Sequence, residues 1–312
     1  MHPTTRRSLI AYAGLVLAAL FWAGNAVIAR GVTETIRPFS LAFGRWALAL
    51  AILVPMGLPH VRRGRAIIRA NLWPLFWLGL LSVGAYNTLL YIAARTTTAL
   101  NITLLGSTLP IAIAVLARVV LQQRTTPRQV VGFLAAAAGT VIIVTRGEWR
   151  VLADFAFRAG DLLMIAAVVL WGLYSVLLRV WKLDLHPIGF ITVTTTVGVA
   201  LLLPPYLWEV ATFGAFDVEP GHLPLFAYLA IFPSILAFLF WNRGIAELGP
   251  NATGMFIYLM PVFTAGLAYA ILGEALLIYH LCGGLFILAG LTLATWPTRA
   301  AQHAPVLPIP KT

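Results

Sequence analysis

Charged residues are spaced along this chain so that nine long apolar stretches lie between them. They cover 8–29, 70–94, 96–117, 129–145, 162–178, 185–208, 220–242, 248–273 and 275–298, and a tenth, 38–61, is interrupted only by Arg45. A bilayer core about 30 Å thick takes about 20 residues of helix. Backbone polar groups in lipid must also be bonded within their own segment. Each stretch therefore predicts a membrane-spanning helix, and ten of them leave no room for a separate soluble domain. Residues 1–28, with Arg6 and Arg7 ahead of an apolar run, resemble a secretory leader. The run is longer than a leader core and has a partner helix later in the chain, so it is expected to stay as the first span.

Composition removes the soluble alternatives. Only 10% of the 312 residues are charged and 61% are hydrophobic, against about 25% charged in a soluble globule; a surface of ordinary polarity cannot be assembled. A single cysteine, Cys282, excludes a disulfide scaffold. The net charge of +11 is a topology signal. Of the 21 basic residues, Arg30, Arg37, Arg95, Arg146, Arg150 and Arg158 fall on one side of the ten spans and Arg45 within one, leaving 14 for the other side. The side richer in Lys and Arg is the cytoplasmic one, so both termini of this multi-pass protein are expected in the cytoplasm. The same charges can touch anionic lipid. They are not gathered on a folded surface, and no nucleic-acid partner is expected.

The chain repeats itself once. Trp22 and Arg30 are matched by Trp171 and Arg179, Pro38 by Pro187, and Pro74 by Pro224. Pro110, Gln123, Gly132 and Gly139 are matched by Pro261, Glu274, Gly283 and Gly290, all 151 residues on. The expected organisation is a cytoplasmic N-terminus (1–8), a first five-helix unit (9–145) and a periplasmic connector (146–160). A second five-helix unit (161–297) and a cytoplasmic tail (298–312) follow. Five is odd, so the second unit enters the membrane from the opposite side. The fold class is thus all-α, with ten transmembrane helices as two inverted five-helix repeats. Transporters use this design with the substrate site near the midplane between the repeats.

With these features in hand, the chain resembles the drug/metabolite transporter superfamily, and within it the ten-helix EamA-type exporters. The resemblance rests on the duplication, on Phe21-Trp22-Ala23-Gly24-Asn25 in the first helix, on Arg45-Trp46-Ala47 in the second, and on the proline-to-glycine spacing that ends each half. It covers roughly 9–297 and is greatest to the YddG-type exporters of aromatic and other neutral amino acids. It implies a location in the inner (plasma) membrane and a central cavity between helices one, three, four, six, eight and nine. It also implies a Glu near the end of both the fourth and the ninth helix; this chain has Gln123 in the first position and Glu274 in the second.

In those cavity helices, Trp22 and Asn25 are three residues apart, as are their repeat mates Trp171 and Tyr174, and residues so spaced share a helix face. Tyr86, Asn87, Tyr91 and Trp241 on the third and eighth helices, with Asn101, Thr103, Ser107 and Tyr258 on the fourth and ninth, complete a candidate substrate cavity. Aromatic walls would stack a side chain, and neutral polar groups would hold an ammonium and a carboxylate. The competing reading assigns the rings to interfacial belts and the amides and hydroxyls to helix–helix contacts. Arg45, seven residues past Pro38 and so about 10 Å deep, can pair a substrate carboxylate, lock a gate against Glu274 or another outer acid, or reach back to the headgroups as an anchor. Pro110 and Pro261 are candidate hinges or sources of free cavity carbonyls, or else plain kinks. Gly132, Gly139, Gly283 and Gly290, seven apart in each helix, suit close packing or a dimer face.

No nucleotide-binding Gly-x4-Gly-Lys-Ser/Thr run occurs, so no ATPase chemistry and no ATPase subunit are implied. No cofactor and no metal are expected. The first helix carries no acid, while Glu274, His186, His222 and His280 stand at helix ends; the expected energetics is gradient-driven efflux or coupling carried by those end-of-helix groups. The partners expected are a small-molecule substrate and lipid, with the chain acting as a monomer or homodimer. A multidrug exporter of aromatic or quaternary cations is the alternative. An enzyme would need a metal set, a carboxylate pair or a Ser with an intramembrane His, and a channel would need a charged ring; none of these is present.

Overall fold

A computed structural model describes residues 3–32, 36–153, 156–216 and 219–295. Ten helices in it are long and apolar enough to cross a membrane: α1 (Arg6–Ile28), α2 (Pro38–Arg63), α3 (Leu72–Thr96), α4 (Leu100–Val120), α5 (Pro127–Val144), α6 (Ala159–Trp181), α7 (Pro187–Phe213), α8 (His222–Leu248), α9 (Pro250–Ile271) and α10 (Ile278–Thr295). Among the described residues there is no strand. The protein is an all-α, multi-pass membrane protein. The 298–312 tail, with Arg299 and Lys311, lies outside the described residues.

Helix starts follow from local chemistry. Pro38, Pro127, Pro187 and Pro250 occupy first helical positions, where a missing N–H costs nothing. Thr126 and Gln129 close a reciprocal capping box ahead of α5. Large apolar side chains face outward all round the bundle, among them Val115, Val119, Leu134, Ile278 and Leu281. In water such a surface would aggregate; here lipid is the solvent.

The packing follows the duplication. α2 lies along α7 and α5 along α10, each helix against its own copy. α1 packs on α8 and α9 of the second half, and α6 correspondingly packs on α3 and α4 of the first. Exchanging every helix for the one five later leaves this pattern unchanged, which is consistent with two inverted repeats. Contacts at the helix ends respect the alternating direction of the spans. Arg37 donates to the Gly214 carbonyl (3.4 Å) and Asp161 accepts from Asn101 (2.9 Å) at one set of ends. Arg179 donates to the Ala246 carbonyl (2.6 Å) and Tyr12 to the Thr295 carbonyl (3.4 Å) at the other.

The α5–α10 seam uses all four repeated glycines. A Cβ on Gly132 would stand 2.7 Å from the Gly290 carbonyl, and one on Gly290 2.5 Å from the Gly132 carbonyl. Gly139 and Gly283 oppose each other's carbonyls in the same way. The backbones touch, as small residues permit in membranes. A Gly139→Leu substitution is expected to cost at least about 2 kcal/mol of stability by overpacking. Thermal unfolding in detergent should show it as a fall in apparent Tm of several degrees. A Cys282→Ser control should leave Tm unchanged, because Cys282 is exposed on α10.

Candidate functional site

Two helices become π-helical at matching places. α3 is a π-helix over Leu80–Tyr86 and α8 over Ile231–Leu236. Such segments leave backbone groups out of the regular ladder and frequently mark functional sites. The α8 segment contains Pro233, whose absent N–H would leave the Leu229 carbonyl unpaired in α-geometry; the Ser234 hydroxyl donates to that carbonyl at 2.6 Å. The Pro233 carbonyl accepts twice, from Trp22 Nε1 at 3.0 Å and from Arg45 Nη2 at 3.2 Å. One irregular turn thereby gathers α1, α2 and α8 at a single point.

Arg45 completes the junction. Its Nε donates to Ser234 Oγ (2.6 Å) and its Nη1 to the Tyr91 hydroxyl (3.0 Å) and to Asn87 Oδ1 (3.4 Å) on α3. The Trp46 ring covers it, 5.2 Å from the guanidinium carbon. Arg45 is 1% exposed. That corrects two of the sequence readings. The side chain does not reach back to the headgroups, since its depth is met by five polar and aromatic neighbours. Nor does it lock Glu274, which is exposed in the α9–α10 connection.

Around the junction the rings from both halves meet. Trp22 lies 5.6 Å from Trp171 and 5.3 Å from Trp241, and Trp171 lies 4.8 Å from Tyr86, 5.3 Å from Tyr174 and 5.2 Å from Phe238. Trp22 and Tyr86 are half-buried, whereas Trp171, Tyr174 and Trp241 are buried. The polar tips are partly engaged: Tyr174 donates to Asn242 Oδ1 (2.7 Å) and Trp241 to Ser175 Oγ (3.2 Å). The buried Trp171 Nε1 and Tyr258 hydroxyl have no partner. Asn25 is half-buried on the Trp22 side of α1.

This environment explains the first-helix motif. The Phe21 carbonyl accepts from the Tyr228 hydroxyl at 3.1 Å, Trp22 reaches Pro233, and Ala23 is fully buried. A Cβ on Gly24 would collide with the Tyr228 hydroxyl.

Other sequence-proposed residues have different duties. Asn101 donates to Asp161 Oδ2 (2.9 Å) and to the Ala156 carbonyl (3.2 Å), and Thr97 Oγ1 donates to Asp161 Oδ1 (2.5 Å). Those contacts clamp the start of α4 to the start of α6. Ser107 is half-buried and donates to the Leu104 carbonyl (2.6 Å) at a break in α4, whose second part begins at Leu109. Pro110 stands in the first turn after that break. Pro261 stands in the first turn after a 3-10 segment, Met255–Tyr258, in α9. Sequence reasoning missed Ser234, Pro233, Asp161 and Asn242; only Pro233, a proline inside a charge-free run, carried a signal. A cleft of about 350 Å3 opens between α4 and α5 beside Val115, Arg118 and Leu134, and none of the proposed pocket residues lines it.

Ten apolar helices in two matched halves, with a charge and polar groups turned inward among aromatic rings, define a membrane transporter. The chain belongs to the EamA-like transporter family, whose sequence profile matches residues 9–145 and 158–296. It is similar to the uncharacterized transporter YyaM of Bacillus subtilis (strain 168), at 26% identity over 94% of this chain and 95% of that protein. An uncharacterized transporter of Archaeoglobus fulgidus is 29% identical over 93% of this chain and 97% of its own. A probable terminal-alkyne amino-acid exporter of Streptantibioticus cattleyicolor is 25% identical over 89% and 91%. A solved crystal structure superposes with a TM-score of 0.73 at 22% identity, over 93% of this chain and 96% of that chain, a likeness of fold.

The Gly24 contact is directly testable. Gly24→Ala should cost about 1–3 kcal/mol through the steric clash. Most of that loss should vanish in a Tyr228→Phe background, where the hydroxyl that a Cβ would meet is gone. Apparent Tm of the two single variants and the double variant reads this coupling.

Proposed function

We propose that this transporter exports small metabolites, foremost aromatic and other neutral amino acids, across the inner membrane by alternating access, with both termini cytoplasmic. The observation that carries the reading is the ring cluster of Trp22, Tyr86, Trp171, Phe238 and Trp241, drawn from both repeats and set beside half-buried Asn25. Flat apolar faces with a few polar tips suit a ligand that has an apolar side chain and a zwitterionic head. The amino-acid exporter of S. cattleyicolor among the relatives agrees with this class and with the outward direction.

Alternation is supported by a difference between matched segments. Residues 253–258 at the start of α9 are all buried, whereas the corresponding 103–108 of α4 are half-buried or exposed. Two copies of one unit in different conformations are what an inverted-repeat carrier requires. Pro110 and Pro261, each following a break, mark where the copies exchange shapes. Efflux runs down the substrate gradient: the buried carboxylates Asp161 and Glu209 are held at helix ends by several donors, away from the ring cluster. Aromatic walls also suit organic cations through cation–π contacts, the competing reading.

Reconstituted vesicles test the proposal. Labelled phenylalanine should show saturable flux and counterflow, and an imposed pH gradient should not drive its accumulation uphill. Trp22→Ala and Trp171→Ala should each lower the initial rate at least about tenfold, the loss of one stacked ring in a desolvated site. Exclusive transport of a quaternary cation would reverse the substrate assignment.

A further inference from the structure

The Arg45 guanidinium is 1% exposed in a membrane-spanning helix, and every group it touches is neutral. Ser234 Oγ, Tyr91 OH, Asn87 Oδ1 and the Pro233 carbonyl supply dipoles, and Trp46 supplies a π-face. Among the described residues no carboxylate pairs with it. Dipoles recover part of the lost hydration, but the junction keeps a whole positive charge in a low-dielectric interior, where a buried charge ordinarily acquires an opposite partner.

The surroundings point the charge at the ring cluster. Arg45 Nη2 and Trp22 Nε1 share the Pro233 carbonyl, so the guanidinium borders the half-buried ring that stands against Trp171 and Trp241. The Asn87 contact on Nη1, at 3.4 Å, is the longest of the four. Nη1 and Nη2 form the planar fork that receives a carboxylate through two parallel hydrogen bonds. The repeat counterpart of Arg45 is Thr194, whose hydroxyl donates within its own helix. One half alone carries the charge.

We propose that Arg45 is the receptor for a carboxylate on the transported molecule. The carboxylate displaces Asn87, and then Tyr91, from the Nη edge while the apolar side chain lies against Trp22. The inference rests on the amino-acid reading above and narrows it: the substrate bears a carboxylate, and compounds whose only charge is positive are repelled.

The test is competition for phenylalanine counterflow in vesicles holding the full chain, with three analogues. These are 3-phenylpropionate, which keeps the carboxylate, and phenethylamine and phenylalanine amide, which lack it. The phenylpropionate should compete, and the two carboxylate-free cations should be at least tenfold weaker than phenylalanine. Arg45→Gln should lower phenylalanine flux at least tenfold and erase the discrimination against phenethylamine, while Arg45→Lys retains part of both. Because Arg45 ties three helices together, Arg45→Gln is read only where its gel-filtration profile matches the native one; the analogue series on the unaltered protein decides the matter by itself. Equal competition by phenethylamine and phenylalanine overturns the carboxylate receptor and leaves the amino-acid reading standing. Absence of any saturable phenylalanine flux overturns both.

Discussion

The arrangement depends on one carbonyl. Pro233 sits in a lipid-immersed helix, where every backbone acceptor needs a donor and water is not at hand. Pro233 lacks the N–H that an α-ladder would use, the segment around it is π-helical, and side chains donate to two of the carbonyls there. Ser234 serves one; Trp22 and Arg45 serve the other. Three helices are pinned together by what would otherwise be a local defect. The pin lies where rings of both halves converge, so the irregularity in α8 also fixes the orientation of Trp22 and Arg45.

The duplication governs the frame more strictly than the chemistry placed on it. At one end of the α2–α7 pair, Glu209 accepts from the backbone N–H groups of Phe39 and Ser40 (3.2 and 2.8 Å), a carboxylate on a helix N-terminus. That is the electrostatically favoured arrangement. The matching position 149 residues earlier is His60, which instead stacks on His186 at 3.6 Å. Both contacts join the same two helices near matching ends by unrelated means. A similar divergence separates Asn101, tied to Asp161, from its copy Asn251, whose buried amide has no partner. Shape has been kept while polar chemistry has specialised in each half.

Most of the frame was legible because the bilayer imposes it. The absence of charge over 17 to 26 residues marks nine of the ten spans directly, and glycines and prolines recur at an offset that any close helix seam must preserve. The site was legible only in its ingredients. Trp22 and Trp171 announce themselves by their repeat spacing, but nothing local shows that Trp241 and Phe238 close on the same point. Arg45 was visible as a charge in an apolar run, yet its burial depends on Ser234 and Tyr91, which come from α8 and α3. The π-segments were not legible: Leu80–Tyr86 contains no proline, and the helices it packs against, α6 and α7, are remote in sequence. Asp161 borders an apolar run with nothing local to single it out, and only the fold brings Thr97 and Asn101 to it.

The glycine seam between α5 and α10 carries an evolutionary corollary. Where backbones touch with no side chain between them, a larger residue on one strand of the seam cannot be absorbed by a rotamer change on the other. Each half therefore constrains the other's substitutions at these four sites. Gene duplication ordinarily frees one copy to wander, but along this line the twins remain bound to each other's history.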